Sequence, residues 1–151
     1  MSVIQYREAT EADLPVIARI LADWQTEEYW NMRVSGYYHH ELHPQKALLP
    51  RVMYVAVHSG SIVGFIAGHL TERFGCNGEL QWINVLPGFR KKGIATALLR
   101  LLAKWFVEQN ALFVCVDPGN EQARKFYAGS GAGNLNEHWM AWKDFSIVLK
   151  T

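Results

Sequence analysis

Net charge is nearly absent from this 151-residue chain: 15 Lys and Arg stand against 14 Asp and Glu, a formal balance of +1. With so little excess charge, no bulk field favours nucleic acid or an anionic membrane as a partner. Cysteine is scarce as well. Cys76 and Cys115 lie too far apart for the paired spacing of a metal site, and two thiols make no disulfide framework. No apolar run approaches membrane-spanning length, and the Met1–Glu8 start lacks the basic-then-apolar pattern of a signal peptide. The expected setting is therefore cytoplasmic. Repeats, linkers and low-complexity segments are also missing. With half its residues hydrophobic, the chain reads as one globular domain over residues 1–151.

Ile4 to Arg7 alternates in polarity as a short strand, and Thr10 followed by Asp13 imitates a capping box. Leu14, Ile17, Ala18 and Leu21 then recur at helical spacing, predicting a helix to about Trp24. Thr26 to Gln45 is a second helical or irregular segment, and Pro44 argues against helix at His43. Met53–Val57 and Ile62–Leu70 read as a hairpin about Ser59-Gly60, and Glu79–Val85 as the next strand. A helix from Ile94 to about Gln109 turns Leu98, Leu99, Leu101, Leu102, Trp105 and Phe106 inward, with Asn110 just past its end. Leu112–Val116 is a fully apolar strand, and Asn120 caps a helix to about Ala128. Leu135–Trp142 and Phe145–Leu149 are expected to close the chain as two strands. Cys115 should be a buried, inert thiol, whereas Cys76 in its Gly-Cys-Asn-Gly turn is expected at the surface.

This order gives a mixed α/β sheet with a parallel crossover after the Glu79–Val85 strand. The most informative segment follows that strand: Leu86-Pro87-Gly88-Phe89, then Arg90-Lys91-Lys92-Gly93, then at once the long helix. A glycine-containing basic loop opening a helix offers backbone N–H groups and a partial positive charge to an anion such as a pyrophosphate. The Gly-x-x-x-x-Gly-Lys-Ser/Thr spacing of a P-loop is absent, and Arg90 stands where a dinucleotide fingerprint needs its first glycine. Gly129, Gly131 and Gly133 follow a helix rather than open one, so they form an exit turn.

Four elements occur in register: Glu79-Leu80, Val85-x-Pro87, Arg90-x-x-Gly93-x-Ala95, and Asn120-x-x-Ala123-x-x-Phe126-Tyr127. Together they resemble the GNAT N-acetyltransferase superfamily, over about Ile4 to Leu149. After Tyr127 the chain departs from the family's usual Gly-Phe, carrying Gly131-Ala132-Gly133 instead. The resemblance implies the GNAT fold, a mixed central β-sheet flanked by helices on both faces, with acetyl-CoA as cosubstrate and no metal. It implies that N–H groups from Arg90 through Lys91, Lys92, Gly93, Ile94, Ala95 and Thr96 hold the pyrophosphate. Ile83 and Val85 would pair with the pantetheine arm, Val85 N–H would face the tetrahedral oxyanion, and Asn120 and Phe126 would flank the arm.

Acyl transfer to an amine has two proton problems: an ammonium of pKa about 10 must lose a proton, and the departing thiolate must gain one. The resemblance offers Glu79 as base, directly or through water, and Tyr127 as acid. Glu79 could equally be a solvated strand-start residue, and Tyr127 a packing ring. Trp24, Glu27, Glu28, Tyr29 and Trp30 combine aromatics with carboxylates and so suit a cationic amine acceptor, or else divide between core and wet helix face. His39, His40 and His43 could suggest a metal, but Pro44 undermines their helical spacing. The expected activity is direct acetyl transfer to a primary amine of a small molecule or an exposed protein amine, in a ternary complex. A non-catalytic acyl-CoA-binding regulator on the same fold is the alternative. Oligomeric state stays open, a homodimer included.

Overall fold

Alternating and continuous apolar runs in the middle of the chain produce the sheet, and a computed structural model describes it over residues 3–22, 26–44 and 46–150. Trp24 and Gln45 lie outside the described residues. Strands β1 (Ile4–Glu8), β2 (Ala47–His58), β3 (Ser61–Thr71) and β4 (Gly78–Val85) pair antiparallel in succession. β5 (Val114–Val116) joins β4 in parallel, and β7 (Met140–Trp142) and β6 (Gly133–Asn134) complete the order β1-β2-β3-β4-β5-β7-β6. The Ser59-Gly60 turn has positive φ at both residues, 49° and 81°, the twist a tight hairpin demands.

Helices cover both faces, as expected. α1 (Leu14–Leu21) and α2 (Glu27–Tyr38) place Ile17, Ala18, Val34 and Tyr37 against Val55, Phe65 and Ala67. On the other face α3 (Ile94–Glu108) packs Leu98, Leu99, Leu102 and Phe106 on Val52, Ile66 and Leu80, joined by Tyr127 from α4 (Glu121–Gly129). α3 supplies the crossover that a parallel β4–β5 pair requires. Leu101 and Trp105, expected inward, are only half-buried. Asn110 at φ 58° ends α3, and Ala111 N–H reaches back to Phe106 O at 2.9 Å.

β4 carries a bulge. Trp82 sits opposite Ala67 and Leu80 opposite Gly68, so Gln81 is an extra residue with no partner across the ladder. At Gly68 a β-carbon would lie 2.8 Å from Leu102 Cδ1 and 3.1 Å from Glu79 O, so only glycine lets α3 settle here.

Four expectations are corrected. β5 begins only at Val114, because Asn77 takes over its neighbour: Phe113 N–H donates to Asn77 Oδ1, and Phe113 O accepts from Asn77 and Gly78. The Leu135–Trp142 strand contracts to Met140–Trp142, since Asn136 Oδ1 accepts from His138 and Trp139 N–H and builds a turn instead. Phe145–Lys150 is a 3-10 turn rather than a strand, started by Asp144 Oδ1 taking Ser146 N–H and hydroxyl. Cys76, expected at the surface, is 3% exposed and packs with Cys115 and Ala141.

Candidate active site

The β4–β5 pairing stops at Leu80–Val116, where β5 ends, and β4 runs on to Val85 with that edge unpaired. Between them opens a cleft of about 580 Å³. One wall is β4 from Gln81 to Val85. The floor of the outer end is the loop and first turn of α3, through Arg90, Lys91, Gly93, Ile94, Ala95 and Thr96. The other wall is Asp117, Pro118, Asn120, Ala123, Phe126 and Tyr127. Open α/β sheets bind ligands where neighbouring strands diverge at their carboxyl ends, and this cleft occupies that place.

Leu86 N–H pairs with Val63 O on β3 at 2.8 Å, which sets the alternation along β4. The backbone groups of Val85, and of Ile83 two residues earlier, therefore turn from β3 toward the open edge. Arg90 Nε donates to Val85 O at 2.8 Å. Lys91 (φ 62°) and Gly93 (φ 84°) are both left-handed, and such alternation curls a loop so that its N–H groups converge. The first intrahelical bond runs from Ala97 N–H to Gly93 O, so the N–H groups of Ile94, Ala95 and Thr96 precede the helix ladder. Lys92 is not in the lining; its ammonium lies 5.8 Å from the Phe89 ring centre.

Asn120 caps α4, its Oδ1 accepting Ala123 N–H at 2.8 Å. Tyr127 is 4% exposed and stands edge-on to Trp142 with ring centres 5.6 Å apart. Burial, reinforced by the nearby Asp117 carboxylate, holds its phenol well above the usual tyrosine range. Asp117 in turn accepts from Gly119 N–H and meets His138 Nε2 at 2.7 Å.

Glu79 is placed elsewhere. It is 5% exposed, does not line the cleft, and accepts from Arg73 Nε at 2.9 Å. His69, fully buried, brings Nε2 within 3.6 Å of the same carboxylate while Nδ1 meets Tyr37 OH at 2.8 Å. Arg73 also lies 4.7 Å over the Trp139 ring. Glu27 and Glu28 sit exposed in the first turn of α2, where carboxylates complement the helix dipole, and Glu27 is 3.6 Å from Arg19. Tyr29 and Trp30 are outside the lining too, although Trp30 packs edge-on against Trp82, which is in it. His39 is engaged with Ser35 and Glu11, and His43 with Arg51. Among the described residues no group of three or more His, Cys, Asp or Glu could hold a metal.

Sequence reasoning missed Gln81, Trp82, Asn84, Asp117 and Gln122 in the lining. The Asp117-Pro118 break after an apolar strand was a usable signal for one wall. The bulge at Gln81 leaves no local mark.

A profile of the Acetyltransferase (GNAT) family matches residues 14–132. A search of curated proteins found no match. Among solved structures, a GNAT-family acetyltransferase from Staphylococcus aureus Mu50 is similar at TM-score 0.72 and 15% identity, covering 93% of this chain and 98% of that one. PaiA N-acetyltransferase from Thermoplasma acidophilum, in complex with coenzyme A, gives 0.66 and 17%, covering 93% and 99%. A GNAT acetyltransferase from Brucella melitensis, in complex with acetyl-CoA, gives 0.64 and 17%, covering 92% and 86%.

Proposed function

Because the chain belongs to the acetyltransferase (GNAT) family, we propose that it transfers an acetyl group from acetyl-CoA directly to a primary amine, in a ternary complex. One observation carries this reading: β5 ends at Val116 while β4 runs on to Val85, leaving the backbone of Ile83 and Val85 facing a cleft that ends at the α3 N-terminus. That cleft suits acetyl-CoA chemically. The Arg90–Thr96 loop and the helix start offer N–H donors and positive charge to a pyrophosphate, and the open strand edge offers peptide groups to the pantetheine amides.

The amine lone pair attacks the thioester carbon, and Val85 N–H donates to the oxygen that becomes negative. As the C–N bond forms, the C–S bond breaks and sulfur takes the Tyr127 proton. Burial keeps that phenol protonated at neutral pH, so the donor is in its working state. The surplus proton on nitrogen leaves to water in the cleft, with Glu79, behind the lining and paired with Arg73, as its proposed acceptor, and returns by the same water to reset the Tyr127 phenolate. The products are the N-acetyl amine and free CoA thiol.

A non-catalytic acyl-CoA-binding role is the second reading, and the Arg73–Glu79 ion pair outside the cleft lining favours it. Thiol-release assays with acetyl-CoA across a panel of amines, with mass spectrometry of the acetylated product, separate the two. Turnover supports transfer. Acetyl-CoA binding with no turnover on any amine supports the regulator, and no binding removes both.

A further inference from the structure

Acetyl transfer to an ammonium releases one proton overall, because the amide and the CoA thiol together hold one hydrogen fewer than the ammonium brought. The proton lost after attack is recycled to Tyr127. Another must leave earlier, before the nitrogen has a lone pair, and it must reach bulk solvent. At pH 7 only roughly one molecule in a thousand of an amine of pKa about 10 has already lost it. Glu79 is badly placed for this export, being 5% exposed and paired with Arg73.

Among the described residues that line the cleft, Asp117 is the only carboxylate. Its Oδ1 meets His138 Nε2 at 2.7 Å and accepts Gly119 N–H at 3.1 Å. The His138 side chain is 61% exposed, so the ring that meets the cleft carboxylate is also open to bulk water. Its backbone is nevertheless fastened. Asn136 Oδ1 accepts His138 N–H at 3.0 Å, and Arg124 of α4 donates to His138 O at 2.8 Å and to Asn134 Oδ1 at 3.1 Å. The helix that forms one cleft wall thus holds the turn that carries this imidazole. The ionisable groups around the pair are Arg124 and the protonated Tyr127 on α4, Glu137 beside His138, and Arg73 over the Trp139 ring. Imidazole is the side chain whose unperturbed charge change falls between pH 5 and 8, which suits it to carry a proton at neutral pH.

Resting on the acetyl-transfer reading above, we propose that His138, held by Asp117, takes the first proton of the arriving ammonium through cleft water and delivers it to bulk solvent. With the carboxylate ionised, Nε2 keeps its hydrogen for Asp117, and Nδ1 is the nitrogen that accepts the proton. One N–H bond of the ammonium breaks, its electron pair stays on the amine nitrogen, and a new N–H bond forms at Nδ1. The imidazolium rests against the Asp117 carboxylate until bulk water removes the proton. The amine is left with two hydrogens and a lone pair for the thioester carbon. His138 therefore sets the protonation state of the acceptor and makes no contact with the reacting atoms.

The test compares a primary alkylamine turned over in the thiol-release panel with a fluorinated analogue too weakly basic to be protonated at neutral pH. It is run on the wild type and His138→Gln. Glutamine keeps a donor for Asp117 and takes no proton. For the alkylamine, kcat/KM at pH 7 should fall about 10²–10³-fold, toward what the amine already deprotonated in solution supports. That loss should shrink as pH rises toward the amine's own pKa, the variant climbing about tenfold per pH unit where the wild type has levelled. The fluorinated amine arrives neutral and should be acetylated equally by both, and acetyl-CoA affinity by calorimetry should be unchanged. An equal loss on both amines, or a loss that does not vary with pH, overturns the proposal by making His138 structural. Wild-type kinetics in the variant overturn it too, leaving the export to Glu79 or to water alone. If His138→Gln fails to fold, Asp117→Asn takes its place: a loss confined to the alkylamine supports the route, and an equal loss on both overturns it. Absence of wild-type turnover on every amine removes the acetyl-transfer reading and the route with it, whereas failure of the route alone leaves wild-type turnover intact.

Discussion

Arg90 Nε donates to the carbonyl oxygen of Val85 at 2.8 Å, fastening the start of the basic loop to the last residue of β4. The two groups that the proposed transfer needs in fixed relation are thereby joined. Val85 presents its N–H to the cleft, and the loop after Arg90 presents the donors at the α3 N-terminus. A guanidinium can hold a carbonyl with one nitrogen and keep its charge near an anion with the others, which a lysine ammonium does less well. Arg90 is thus a brace for the loop as well as a source of charge.

Gly93 is required for its conformation. At φ 84° it is left-handed, and a β-carbon there would meet nothing within 4 Å. Gly93→Val should therefore fold, at a backbone cost of about 1–2 kcal/mol, but with the loop N–H groups redirected. Calorimetric titration should find acetyl-CoA affinity abolished. Wild-type affinity in the folded variant would disprove the loop's role.

Tyr127→Phe removes one hydroxyl from a packed ring. Acetyl-CoA affinity should survive while kcat falls by roughly 10²–10⁴-fold. Since burial raises the phenol above the usual tyrosine range, it stays protonated through neutral and mildly alkaline pH. Any fall in wild-type rate due to its ionisation should therefore begin only above that range, and should vanish in the variant. Wild-type turnover in Tyr127→Phe would reduce the residue to packing.

Cys115 is fully buried, and burial raises its thiol far from thiolate formation at neutral pH. Direct transfer needs no acyl-enzyme, so double-reciprocal plots should intersect and Cys115→Ala should keep most of its turnover. Parallel lines, together with a transfer-competent acetylated Cys115, would replace direct transfer with a two-step route.

Asp13 ties the first turn to β1. Arg7 donates to its two oxygens at 2.6 and 3.0 Å, and Thr10 N–H donates at 2.7 Å. The Arg7 guanidinium is the main cause holding this carboxyl below its usual value. A lowered folded pKa means the stabilisation is complete above the unfolded value of about 3.9 and is lost as pH falls through the lower folded one. Asp13→Asn should cost about 1–2 kcal/mol at pH 7, an estimate kept small because Arg7 is 46% exposed and screened. Urea midpoints should show that gap narrowing below pH 4. An equal gap at both extremes would assign the effect to packing.

Much of the fold and half of the site were legible because their causes are local. Thr10 with Asp13, Asn120 before Ala123, Asn110 after α3 and Ser59-Gly60 each act within a few residues, so short patterns announced them. The strand–loop–helix around Arg90 and Gly93 is local for the same reason, and its residues line the cleft. The misread segments depend on partners far along the chain. Leu112 and Phe113 have strand composition, yet Asn77 claims the Phe113 backbone. Cys76 sits in a turn sequence, yet the turn folds inward onto Cys115.

The sequence by itself determined the element order through α4, the two-faced burial and the loop that opens α3, because hydrophobic period and capping chemistry are properties of neighbouring residues. Only the tertiary structure decided which side chains reach the cleft. Glu79 and Gln81 are two apart on one strand, and regular alternation would put them on the same face. The bulge breaks that alternation, and the pairing with β5 ends between them. The Glu79 carboxylate is therefore held by Arg73, while Gln81 belongs to the cleft lining. The bulge is set by how β3 and β4 register across the sheet, with Gly68 opposite admitting Leu102 of α3. A register between strands is a property of the pair and is written in neither strand alone.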